Sequence, residues 1–178
     1  MKEVFLLQFR RIPSSVFLIS FLILSIMLLI VFILRKNNRA IRRSVFSMFL
    51  IEYVFIMFCS TVICRETKDT HHIELMPFWN YHNVLNVDRP ADYWEVLLNI
   101  ILYSPIGFLL GCLYKRLLPT IMICVLLSVV TEVLQYVLHR GLCETDDVIH
   151  NILGSLFGWF LYISLRGRFV KLIRLREK

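Results

Sequence analysis

Charge is scarce in this chain and missing altogether from long stretches of it. Only 19% of its 178 residues are Asp, Glu, Lys or Arg, and 58% are hydrophobic. Soluble domains carry about 25% charge and are nearer half apolar. A chain this short cannot hide so many apolar side chains in one core, so a water-soluble globule is excluded and the bilayer must take them up. There is no disulfide framework and no metal-ligand spacing among Cys59, Cys64, Cys112, Cys124 and Cys143. Their number is odd and four of them lie in apolar runs, where they read as small space-fillers. No nucleophile elbow, HExxH or phosphate loop occurs. There is no internal repeat, no low-complexity segment, and no nucleic-acid-binding module behind the net charge of +7. The basic residues abut apolar runs instead, as topogenic charges do.

What is present is a series of hydrophobic runs about the length of a bilayer core. Five spans are predicted, at residues 14–34, 44–64, 96–114, 119–138 and 148–165, giving an all-α polytopic membrane bundle. The first is too long for a signal peptide and lacks a small-residue cleavage site. Residues 1–11 fit either a short interfacial helix or a partly apolar tail. Residues 35–43, RKNNRAIRR, hold five basic residues and no acid, the clearest cytoplasmic marker. With this loop, the 115–116 turn and the tail after residue 165 inside, thirteen of the twenty Lys and Arg lie on that side. The N-terminus is then outside and the C-terminus cytoplasmic. The chain divides into a two-span hairpin with its basic loop (1–65), an outer loop with three spans (66–165) and a basic cytoplasmic tail (166–178). The segment 65–95 carries three histidines, two tryptophans and six acids. Its run Leu75-Met76-Pro77-Phe78-Trp79 is too apolar for a plain linker, so it is expected on the membrane surface or folded over the bundle. His71, His72 and His82 are possible metal ligands but read better as solvated.

Ionisable and polar groups within spans are costly, about 2.5–3.5 kcal/mol for a mid-bilayer charge on insertion scales, and therefore informative. Glu52 lies deep in the second span, where a partner arginine or a protonated carboxyl is expected. Glu132, Gln135 and His139 share one face of the fourth span. Asp147, Asn151, Gly154 and Gly158 run along the fifth. Asn99, Tyr103, Gly107 and Gly111 recur every fourth residue along the third. Polar groups lie toward the outer end and, in the third and fifth spans, glycines deeper, so the three helices are predicted to meet in a close-packed seam with a polar cup opening outward. Asn99, Glu132, Gln135, Arg140, Glu144, Asp147 and Asn151 would line the cup. Pro105 would kink the third span and free a carbonyl near it. Glu132, Glu144, Asp146 and Asp147 face one nearby base, Arg140. Structural glue needs no such surplus of acids, whereas a cation, a basic ligand or a proton-accepting pair does.

The same residues resemble a known family. Asn99-Ile-Ile-Leu-Tyr-Ser-Pro105-Ile-Gly107-Phe is similar to the N-x-x-x-F-x-P-x-G-F segment of VanZ-like membrane proteins. Glu132-Val-Leu-Gln135 resembles their E-x-x-Q, and residues 140–158 their R-G-x-x-E-x-x-D-x-x-x-N-x-x-G-x-x-x-G. Leu75-Met-Pro77-Phe78 resembles their L-x-P-F. Tyr103, Cys143 and His150 depart from the usual types, but none falls on an acidic or glycine position. The first 65 residues match only as hydrophobic spans. The resemblance makes 66–165 the VanZ-like domain. It implies an envelope protein linked to lowered susceptibility to teicoplanin-type glycopeptides, without an altered cell-wall precursor and without an established catalytic mechanism. Members outside resistance clusters imply a general envelope role.

Three functions fit. The cup binds an envelope ligand, such as a lipid-linked cell-wall precursor or a cationic glycopeptide antibiotic. Alternatively, Glu132 and Asp147 are the acid–base pair of an intramembrane enzyme acting on a lipid, with Asn99 and Asn151 positioning it. Or the glycine stripes dock another membrane protein. Membrane lipids are expected partners; no cofactor, metal or nucleic acid is expected, and the oligomeric state is left open.

Overall fold

The computed structural model describes residues 12–34, 37–67, 73–78 and 90–176, with backbone alone at 34, 90–92 and 168–176. The expectations for residues 1–11, Trp79 and the three loop histidines lie outside the described residues. Five helices are long and apolar enough to cross a membrane. They are α1 (Ser14–Leu34), α2 (Asn38–Phe58), α3 (Pro90–Tyr114), α4 (Leu117–Val137) and α5 (Thr145–Arg176). The chain is thus a multi-pass, all-α membrane protein.

Boundaries differ from the expected spans where helix signals lie outside the apolar runs. The basic segment 35–43 is not wholly a loop, because α2 begins at Asn38 inside it. The Asn37 side chain accepts from the Arg39 backbone N–H, which satisfies a donor left free at the helix start. Proline is pre-shaped for the first helical turn, and α3 starts at Pro90, six residues before its hydrophobic run. The tail after residue 165 simply continues α5 to Arg176, since lysine, arginine and leucine are good helix formers.

The end of α2 widens into a single π-helical turn, Cys59–Ile63, closed by Cys64 N–H on the Cys59 carbonyl at 2.8 Å. Ser60 and Thr61 hydroxyls both donate to the Met57 carbonyl at 2.8 Å. Side-chain donors of this kind compete with the regular helix ladder. A two-stranded parallel ribbon pairs β1 (Ile73–Glu74) with β2 (Cys143–Glu144), matching Ile73 to Cys143. Residues 73–78 therefore lie over the α4–α5 connection.

The most extensive interface joins α3 and α5; α4 packs beside both, α2 lies on α3, and α1 packs mainly on α2. The buried core holds Met57, Leu102, Tyr103, Ile106, Leu110 and Cys124. The reason for the α3–α5 intimacy is glycine. A Cβ on Gly154 would overlap the Ile100 carbonyl, one on Gly158 the Ser104 carbonyl, and one on Gly107 the Ser155 carbonyl. At Gly111 it would lie 2.8 Å from the Tyr162 ring. The two backbones meet directly, gaining the dispersion contacts that drive helix association in lipid. Helix α3 passes through Pro105 unbroken, and Pro105 lines an apolar cavity facing α1 and α2, not the polar end of the seam.

Candidate functional site

The up-and-down topology brings the C-terminal ends of α2 and α4 to the same end of the bundle as the N-terminal ends of α3 and α5. Helix α4 finishes in a tight reversal. His139 takes a left-handed conformation (φ 56°) and the Arg140 N–H reaches back to the Gln135 carbonyl at 2.7 Å. This C-cap turn satisfies carbonyls of the last helical turn. It also aims Arg140 at α2. The guanidinium donates to the carbonyls of Val62 (3.3 Å), Ile63 and Arg65 (2.6 Å). Those are carbonyls that a helix end leaves without internal partners. Gln135 does the same one turn back, donating to the Thr61 carbonyl at 3.1 Å. The structure thus places Gln135 and Arg140 as ties to the end of α2, with Arg140 committed to carbonyls instead of carboxylates.

The carboxylates gather beside these ties. Glu132 is only 4% exposed, and its Oε2 accepts the Glu144 backbone N–H at 3.1 Å. Asn99 Nδ2 donates to Asp147 Oδ1 at 2.7 Å, joining α3 to α5. Asp146, 2% exposed, accepts the Phe78 N–H and so fastens the loop over the site. Asp146 and Asp147 stand in the first turn of α5, where the helix dipole favours negative charge. Glu132 and Asp147 lie close enough to interact with each other, and Glu144 with both. A positive charge near them is Arg65, which interacts with Glu132 and Asp147. Glu95 adds a further acid beside Asp147.

One turn deeper, Asn151 is 3% exposed and its Nδ2 donates to Ser128 Oγ at 2.8 Å. Its Oδ1 has no hydrogen-bond partner among the described residues. Tyr103 OH and Thr131 Oγ1 approach to 3.4 Å at the same level. Below lie the glycine contacts. Asn99, Glu132, Glu144 and Asp147 therefore form one polar cluster, Asn151 its floor, and Gln135 with Arg140 one wall. No group of three or more His, Cys, Asp or Glu side chains among the described residues is placed to hold a metal ion. Sequence reasoning missed Arg65 and Ser128. Arg65 had a signal, since it ends the second span on the cup's own side. Ser128 lies four residues before Glu132 on the same helical face.

Cys143 sits between the spans and samples this field. Burial first, then the carboxylates of Glu132, Asp147 and Glu144, pushes its thiol above the ordinary cysteine range. Alkylation proceeds through the thiolate. Its rate should therefore climb with pH along a curve displaced to the alkaline side of a free cysteine peptide. Glu144→Gln removes one of the three charges and should move the curve part of the way back. Rates measured from pH 7 to 10 with only Cys143 retained check both shifts; coincident curves for the two proteins would refute the field.

The comparisons with known proteins converge on this region. A family model described as VanZ/LLP1 matches residues 19–166. Protein VanZ of Enterococcus faecium is 29% identical over 94 residues, which cover 49% of this chain and 58% of that relative. The chain thus matches somewhat over half the length of that relative. No solved structure matches. The family match runs from within α1 through the acid-bearing junction to the end of the α5 span, and on that extent the chain belongs to the VanZ/LLP1 family.

Proposed function

We propose that this protein is a VanZ-like component of the bacterial cell envelope that binds a cationic group of an envelope ligand in the acidic cup, on the outer face of the membrane. The observation that carries this reading is the gathering of acids at the α4–α5 junction. Glu132, Glu144, Asp146 and Asp147 converge there, Arg140 is spent on backbone carbonyls, and Arg65 interacts with the carboxylates from α2. A cluster of acids at a membrane surface attracts positive charge. The ligand class follows from location: a lipid-linked cell-wall precursor with a free amine, or a cationic teicoplanin-type glycopeptide. Capture of either accounts for a link to glycopeptide susceptibility.

The test uses full-length protein in lipid nanodiscs and labelled teicoplanin or lipid-linked precursor. The pair Glu132→Gln and Asp147→Asn should weaken binding at least tenfold each, and expression of the wild type alone should lower teicoplanin susceptibility. Intact binding and phenotype in both variants would refute the reading. The outward orientation is tested separately: a membrane-impermeant maleimide should label Cys143 in intact cells.

A second reading is favoured by the placement of the Glu132 and Asp147 carboxyls in one cluster. Two neighbouring carboxyls can divide the roles of acid and base on a lipid-linked substrate, with Asn99 and Asn151 orienting it. Turnover of a labelled polyprenyl substrate by purified protein, abolished by Asp147→Asn, distinguishes it from simple binding.

A further inference from the structure

A second, separate feature lies at the N-terminal end of α2, opposite the end that carries the acidic cup. There a cavity of about 700 Å³ opens between the second half of α1 and the first half of α2. That volume is within the range of pockets that take small organic ligands. Its polar wall comes from α2, where Arg39, Arg43 and Ser47 recur every fourth residue with Ser44 beside them. Its apolar wall is Met48 together with Met27 and Val31 of α1. Polarity therefore falls with depth, since α2 rises about 13 Å from Arg39 to Met48. Helix α1 is itself little buried, so the cavity is reached from lipid.

The cations of this wall have no counter-charge nearby. The Arg39 and Arg43 guanidinium groups make no hydrogen bond or ion pair among the described residues. Arg42, by contrast, donates to the Asn38 carbonyl at 3.4 Å and is not part of the wall. The sequence explains the imbalance, because no acid occurs from residue 4 to residue 51. Glu52 lies nine residues past Arg43, over about 13 Å of helix rise, so its own helix does not supply the partner arginine expected for it. The α3–α4 turn at the same end adds Lys115 and Arg116 and no acid. The hydroxyls are unspent as well. Ser20, Ser25 and Ser104 each donate to a carbonyl of their own helix, whereas Ser44 and Ser47 make no hydrogen bond among the described residues.

We infer that the cavity binds an anionic phospholipid, with its phosphate on Arg39 and Arg43, its glycerol region beside Ser44 and Ser47, and the start of an acyl chain against Met27, Val31 and Met48. A guanidinium presents a planar fork of donors that matches phosphate oxygens. Basic pockets between spans are a recurrent seat for anionic headgroups. Cations, hydroxyls and thioethers follow one another here in the order of phosphate, glycerol and hydrocarbon, and a free phosphate ion would use only the first of them. The inference is independent of the acidic cup.

The experiment is native mass spectrometry of the full-length protein in a neutral detergent, titrated with phosphatidylglycerol or with phosphatidylcholine of the same chains. Wild type should take up one phosphatidylglycerol at least tenfold more tightly than phosphatidylcholine, and an excess of inorganic phosphate should not displace it. Arg43→Gln should weaken the uptake at least tenfold. Arg42→Gln, which removes the same charge one residue away, should leave it unchanged, as should Asp147→Asn. A phosphatidylglycerol with a diazirine near the head of its acyl chain, photolysed in nanodiscs of the wild type, should label residues 27–31 or 44–48. That labelling keeps the test valid if Arg43→Gln does not fold. Equal uptake of the two lipids, or labelling confined to other segments, overturns the inference. Displacement by inorganic phosphate would make the cavity a site for the free ion, and equal losses in Arg42→Gln and Arg43→Gln would reduce it to diffuse surface charge; either overturns the inference. Loss in Asp147→Asn with retention in Arg43→Gln overturns it too, while leaving the cup reading in place.

Discussion

Gly158→Val should cost about 3 kcal/mol, the upper end for forcing extra atoms into a closed interface. The expected readout is a roughly hundredfold fall in the folded-to-unfolded ratio under titration with a denaturing detergent. The added side chain would overlap the Ser104 carbonyl and press on the Phe108 nitrogen. Both are backbone atoms of α3, so no rotamer change relieves the clash and the helices must separate. Separation also forfeits the approach at Gly154 and Gly107, because the α3–α5 seam is one surface. Asn99 and Asp147, hydrogen-bonded across the top of the same seam, would be drawn apart. Fold and cup should therefore fail together. Gly167→Ala is the matched control. Nothing lies within 4 Å of a Cβ there, so its stability should be unchanged or up to about 1 kcal/mol higher from helix propensity. A Gly158→Val protein as stable as wild type would mean that the seam is not close-packed.

Arg140→Met should be the second large effect, about 2 kcal/mol. The guanidinium nitrogen shares its two N–H groups among three carbonyls at the end of α2. Hydrogen bonds from a charged donor contribute about 1.5–3 kcal/mol each, and partial exposure at the bundle end reduces that figure. Loss of Arg140 should loosen residues 59–65 first, seen as faster hydrogen exchange of their amides and faster proteolysis after Arg65. Arg140→Lys should recover less than half, since an ammonium cannot span the same carbonyls with a rigid fork. Unchanged exchange in Arg140→Met would show that the contacts do not hold the α2 end.

Much of this arrangement could be read from the residues. The charge-free run 14–34 predicted α1 to the residue, because nothing but lipid acts on it. The stripes of Asn99 to Gly111 and Asp147 to Gly158 predicted that α3 and α5 meet through glycine, a direct consequence of helical periodicity. Helix ends were read less well: hydrophobicity locates the membrane, whereas caps and propensity decide where coiling begins, as Asn37 and Pro90 show. Arg140 was assigned to the carboxylates by nearness in sequence. Its use on the α2 carbonyls depends on a left-handed residue, His139, that no glycine advertises. Arg65 belonged to a different span, and only the packing of α2 against α4 brings it across.

The widened turn at Cys59–Ile63 sets the azimuth of everything after it. One residue more per turn corresponds to about 100° of rotation in a regular helix. A strictly α-helical α2 would thus leave the chain entering Arg65 rotated by about that angle from Glu132 and Asp147, and would turn the carbonyls of residues 62–63 away from Arg140. A five-residue irregularity, held by two hydroxyls on the Met57 carbonyl, acts as the phase adjuster that keys an otherwise generic hydrophobic hairpin to the acidic end of its neighbours.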